Sequence, residues 1–153
     1  MSMSLRAIAY VSDAVEGLDG PGIDRILAAA SSFNRVAGVT AVLMFDGSRF
    51  LQYFEGPDDG VDSVYQRVLN ARSHAQLREL ANGAVATRHF PRWTMASARI
   101  DAEVLTSIVD AAWSGFTAAA PVDGQRRVGF ARMLEVWTGV SGELEPAAVT
   151  LGS

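Results

Sequence analysis

The chain contains neither cysteine nor lysine, and only two of its 153 residues are histidine. Without thiols there are no disulfides, thiolate nucleophiles or cysteine-based zinc and iron–sulfur sites, and His74 and His89 alone supply imidazole. The missing lysine removes Schiff-base chemistry and the phosphate-binding lysine of a P-loop. All 13 basic residues are arginine and the formal net charge is −4, so the chain has no general attraction for nucleic-acid phosphates. No uninterrupted apolar run approaches the roughly 18 residues that mark a bilayer span. The opening Met1-Ser2-Met3-Ser4-Leu5-Arg6 lacks the apolar core of a secretion signal. These absences predict a cytoplasmic protein with no metal centre and no direct nucleic-acid or membrane partner.

What is present suits one sizeable core, since 49% of the residues are hydrophobic and 20% charged. Leu5 to Ser12 alternates, with Ile8 and Tyr10 on one face and Leu5, Ala7 and Ala9 on the other, as in a strand. Asp19-Gly20-Pro21-Gly22 then opens a helix in which Ile23, Ile26, Leu27, Ala30 and Phe33 recur at helical spacing before Gly38. Two β-rich runs, Val39 to Phe45 and Phe50 to Phe54, flank Asp46-Gly47, a hairpin signal. Pro57-Asp58-Asp59 begins a second helix with the stripe Val61, Val64, Tyr65, Val68 and Leu69.

Leu77 to Thr87 and Trp93 to Ile100 read as a fourth and a fifth strand, separated at Pro91. The pattern predicts an α+β, ferredoxin-like, five-stranded mixed sheet with two helices on one face. Beyond Asp101 the period turns helical: Val104, Leu105, Ile108, Val109, Ala112, Trp113 and Phe116 mark a third helix, and Val128, Ala131, Met133, Leu134 and Trp137 a fourth. The turn Ala120-Pro121-Val122-Asp123-Gly124 makes them an antiparallel pair, which either packs on the open sheet face or joins copies into a homo-oligomer. The organisation expected is therefore a domain over 1–100, a helical extension over 101–140 and a flexible tail over 141–153.

Few residues invite chemistry. Gln52 shares a strand face with Phe50 and Phe54, where a buried amide needs partners, although an edge strand would leave it half exposed. Tyr10 would meet Gln52 if the first and third strands are neighbours; on its own it is an ordinary structural tyrosine. Asn34 reads first as a helix cap. Trp93 and Met95, two residues apart on one expected strand face, suit a core, and Arg67 and His74 border the second helix as solvated or ligand-binding groups. No nucleophile elbow, paired acid–base carboxylates or dinucleotide-binding glycine pattern is present.

Taken together, Ala9-Tyr10-Val11-Ser12, Asn34-Arg35-Val36-Ala37-Gly38-Val39-Thr40, Arg49-Phe50-Leu51-Gln52-Tyr53-Phe54-Glu55-Gly56 and Phe90-Pro91-Arg92-Trp93-Thr94-Met95 resemble the BLUF family of flavin photoreceptors, in order and spacing from about Leu5 to Ile100. The resemblance implies a flavin held between the two helices, FAD foremost with FMN or riboflavin as alternatives, and no catalytic domain. It also implies residue roles: Tyr10 as electron donor, Gln52 as the switch between that phenol and the flavin, and Asn34 as a hydrogen-bond partner of the ring. Trp93 and Met95 would be the fifth-strand pair that rearranges on signalling, and Arg67 and His74 would border the cofactor.

This sequence departs from the family pattern at three places. Phe33 stands where a polar residue usually precedes the asparagine, and Ala41 where glycine is typical. Asn70-Ala71-Arg72-Ser73 lacks the Asp and Arg common before the histidine. A blue-light photoreceptor that signals to a downstream protein is the leading expectation. A flavin-free interaction or oligomerisation module and a small ferredoxin-like enzyme are the alternatives.

Overall fold

In a computed structural model, the described residues are 4–113, 116, 129–144 and 149–150. The chain runs β1 (Leu5–Ala14), α1 (Gly20–Ala37), β2 (Thr40–Phe45), β3 (Arg49–Pro57), α2 (Asp58–Leu69), β4 (His74–Val85), β5 (Trp93–Arg99), α3 (Ala102–Val109), α4 (Gly129–Leu144) and β6 (Val149–Thr150). The sheet order is β4-β1-β3-β2-β5-β6. β1 lies antiparallel to both β3 and β4, β2 pairs antiparallel with β3 and parallel with β5, and the two-residue β6 extends the edge. This is the mixed ferredoxin-like sheet that the alternating segments predicted.

Local chemistry sets the ends of α1. Asp19 caps it by accepting from Gly22 N at 2.7 Å, and Gly38 closes it in the left-handed region at φ 73°. At the β2–β3 hairpin the Asp46 carboxylate accepts from the N–H groups of Ser48 and Arg49 at 2.9 and 2.7 Å. Glycine is required where α2 starts, because a Cβ on Gly60 would overlap the carbonyl oxygen of Ala37.

The sheet separates two cores. On one face Ile8, Leu43, Phe50 and Phe54 are buried under α1 and α2 together with Ala30, Val61 and Val64. On the other, Ala9, Met44, Leu51 and Tyr53 meet Leu105 and Ile108 of α3 and Phe130, Met133 and Trp137 of α4. Each fully buried side chain of this size contributes about 1.5–3 kcal/mol, so the C-terminal helices cover the second face rather than leaving it for another copy.

The third helix is shorter than its periodicity predicts. It stops at Val109 with Asp110 as its cap, and Trp113 folds back to donate from Nε1 to the Ile108 carbonyl at 3.0 Å. Trp113 and Phe116 thus join the second core from beyond the helix. The expected turn at 120–124 and Val128 lie outside the described residues.

Candidate cofactor site

Register brings the first two candidates together. Tyr10 on β1 stands directly opposite Gln52 on β3, both side chains on the α1–α2 face, and the Tyr10 hydroxyl donates to Gln52 Oε1. Both are about 95% buried. Burial drives the Tyr10 phenol well above its ordinary value; Tyr65 adds to the rise and Arg67 opposes it. Tyr10 is therefore a neutral hydrogen-bond donor throughout the physiological range.

Above this pair opens a cavity of about 620 Å³ between α1 and α2, within the range typical of small-molecule sites. Its walls are mainly apolar, with Leu27, Leu43, Val64 and Val68 among them, while Asn34, Gln52, Arg67 and His74 supply polar groups. Asn34 is buried and donates from Nδ2 to the Thr94 carbonyl at 2.7 Å, and Ser31 on the same helix bonds the Thr94 hydroxyl at 2.5 Å. Its expected role as a mere cap is thus incomplete, because the amide ties α1 to β5.

His74 Nε2 lies 2.9 Å from the Val68 carbonyl and Nδ1 lies 2.7 Å from Ser12 Oγ. A carbonyl only accepts, so Nε2 carries the proton and Nδ1 accepts from the serine. With both nitrogens engaged, the ring offers its face, at 5.8 Å from the Tyr10 ring and 6.5 Å from Phe50. Gln76, at φ 54°, sits where the β1–β4 ladder skips from Arg78 to Ala75, and this bulge sets the approach of His74.

Arg67 lies with its guanidinium 5.4 Å from the centroid of Phe33. The aromatic residue that departs from the family pattern is therefore a platform for the arginine at the cavity. Ala71 and Ser73 both line the wall, and Ala41 is buried in the core beneath it.

One expectation fails in its geometry. Trp93 and Met95 do not share a face: Met95 lines the cavity, whereas Trp93 packs across the sheet at 5.7 Å from the Trp137 ring. The cause is an irregularity in β5, where the register shifts between Trp93 and Met95 and the adjacent side chains of Thr94 and Met95 both turn toward α1.

The structure adds residues that sequence reasoning did not single out. Arg25, Leu27 and Ala30 line the cavity from α1, and counting back from Asn34 by helical steps reaches Ala30 and Leu27. Glu55, fully buried on the opposite face of β3, accepts from Tyr53 Oη at 2.7 Å, His89 N at 2.8 Å and Phe90 N at 2.6 Å. Nothing local distinguishes that carboxylate from a solvated strand residue.

Among curated proteins, the antirepressor BluF of Escherichia coli, regulated by blue light and temperature, is 31% identical over 68 residues, 44% of this chain and 17% of its own. The photoactivated adenylate cyclase subunit beta of Euglena longa is 28% identical over 100 residues, 64% of this chain and 12% of its own. The chain thus spans a small fraction of these relatives' length. Among solved structures, a bacterial light-regulated adenylyl cyclase superposes with TM-score 0.60 at 26% identity, over 62% of this chain and 28% of that one. The BLUF protein BlrB in its dark state gives 0.61 at 23% identity, over 65% of this chain and 75% of its own, a likeness of fold. The description "sensors of blue-light using FAD" matches residues 5–96, which contain β1 to β4, the start of β5, both cavity helices and the Tyr10–Gln52 pair, and the chain belongs to that family, BLUF.

Proposed function

We propose that the chain is a blue-light photoreceptor in which Tyr10 and Gln52 form the switch and the C-terminal helices carry the response to a partner protein. The observation that carries this reading is the buried hydrogen bond from Tyr10 to Gln52 at the floor of the apolar cavity. The cavity suits a flavin ring, because its walls are mainly apolar and Asn34, Gln52 and Arg67 would supply hydrogen bonds to its polar atoms. When bound, the flavin supplies light absorption and, once excited, a strong one-electron oxidant.

This chain's residues do the rest. Tyr10 holds its proton until oxidised, and its bond to Gln52 gives that proton a defined destination. With Oε1 accepting from Tyr10, the amide offers its NH₂ group to the ring; a rotation of Gln52 exchanges those roles. Asn34 would hold the ring while bound to the Thr94 carbonyl, so that a changed hydrogen bond at Asn34 would reach β5 directly. On the far side of β5, Trp93 rests against Trp137 of α4, which gives two arrangements of β5 a route to the helices.

The test is an absorption spectrum of flavin-loaded protein before and after blue light, beside Gln52→Leu. A small red shift that recovers in the dark and is lost in the variant supports the reading. A chain that takes up no flavin overturns it in favour of an interaction module.

A further inference from the structure

β5 is held by two ladders that do not overlap. β2 pairs with Ala96 to Arg99, whereas β6 pairs antiparallel with Trp93 and Met95. The stretch from Trp93 to Met95 therefore has only β6 as a strand neighbour, and among the described residues no strand pairs with the other edge of Ala96–Arg99. β5 runs for 7 residues and β6 for 2, so most of this edge offers its backbone donors and acceptors to an added strand.

Between the two residues that β6 holds, Thr94 is bound from the opposite side. Its carbonyl accepts from Asn34 Nδ2 at 2.7 Å and its hydroxyl bonds that of Ser31 at 2.5 Å, both on α1, and the β5–β6 register shifts at that point. An irregular strand makes a poor ladder, so β6 sits on the least regular part of the edge. Val149 and Thr150 are β-branched, as strand residues commonly are. Farther along, β5 carries the small residues Ala96, Ser97 and Ala98, which leave room beside them for larger side chains on a neighbouring strand.

We propose that the outer edge of β5 is a strand-addition site for an extended, β-branched segment of a partner protein, and that β6 is its internal occupant. The chain's own tail shows what fits there: an antiparallel pair of β-branched residues joined to the edge through the backbone. A longer segment pairs along Ala96–Arg99 as well and displaces β6 with ladder bonds that two residues cannot make. Light control of the exchange rests on the photoreceptor reading, in which Asn34 divides its amide between the cofactor and Thr94. A weakened Asn34–Thr94 bond lets Thr94 rejoin the strand, and the straightened edge favours the longer occupant over β6.

The site itself is tested in the dark on the full chain, with a fluorescein-labelled peptide of the sequence of residues 145–153 followed by anisotropy. The double variant Val149→Pro, Thr150→Pro deletes both backbone donors of β6. It should bind the peptide at least roughly tenfold more tightly than wild type, in which the tethered tail competes at an effective concentration in the millimolar range. The same peptide carrying the two prolines should not bind. Equal affinity for variant and wild type, binding to neither, or a variant that dimerises in place of binding the peptide overturns the proposal.

Light control is tested on the flavin-loaded wild type. Blue light should raise its affinity for the peptide toward that of the double variant, which itself keeps the reversible red shift. A red shift with peptide affinity unchanged overturns the light-driven exchange and leaves the photoreceptor reading standing. Tight binding by the double variant together with a loaded chain that shows no red shift would sink the photoreceptor reading and support the edge as a docking site independent of light.

Discussion

Glu55 gives the sharpest test of how the sheet is held to the loop before β5. Its carboxylate is fully buried and accepts from two backbone N–H groups, of His89 and Phe90, and from the Tyr53 hydroxyl. Glu55→Ala leaves both N–H groups without an acceptor, and each such buried donor costs about 1–3 kcal/mol. With the lost phenol bond, the total is about 3–7 kcal/mol, or on the order of 10 °C in Tm for a domain of this size. Glu55→Gln keeps one acceptor oxygen but turns an NH₂ toward a donor whichever way the amide lies, so about 1–3 kcal/mol is expected. Tyr53→Phe leaves both backbone bonds intact and costs about 1 kcal/mol. Urea unfolding followed by far-ultraviolet circular dichroism ranks the three. An alanine variant within about 1 kcal/mol of wild type, or a glutamine variant as damaged as alanine, would refute the account. The light response should survive in Glu55→Gln, because Gln52 lies on the other face of the same strand.

Gly60→Ala should lower stability by about 3 kcal/mol in a thermal melt, because its methyl would overlap the Ala37 carbonyl where α2 starts. Trp137→Phe should be close to neutral in the same assay: it loses packing, but it also removes an indole N–H that is buried with no partner among the described residues. For Asp46, burial acts to raise the carboxyl, yet the bonds from Ser48 and Arg49 and the Arg49 charge outweigh it and hold the group below its ordinary range. The extra stability of wild type over Asp46→Asn should therefore be fully present above the usual carboxylate value of about 3.9 and vanish as pH falls through the depressed value. Urea midpoints at neutral and acid pH measure this, and a gap that widens in acid would refute the sign.

Much of this was legible in the sequence because its signals are periodic or local. Alternation put Tyr10 and Gln52 on the covered face, and the Asp46-Gly47 hairpin fixed β2 against β3, so a single neighbour relation sufficed to join the pair. Trp93 and Met95 were misplaced because counting by two assumes an unbroken strand, and the irregularity at Thr94 leaves no mark in composition. The third helix was read too long because Trp113 and Phe116 continue the apolar spacing, and Asp110 alone gives little sign of the stop. Glu55 was missed for a different reason. A charge two residues beyond Tyr53 reads as a wetted position until the N–H groups of a distant loop are found around it.

The division of the aromatic residues between the two cores has a practical consequence. All three tryptophans, Trp93, Trp113 and Trp137, belong to the core under α3 and α4, and none of them lines the cavity. Indole emission in this protein consequently reports on the α3–α4 side of the sheet alone. Under the proposed switch, a change in its wavelength on illumination would mean that an event in the cavity had crossed the sheet, and its onset relative to the absorption change would time that crossing without any added label.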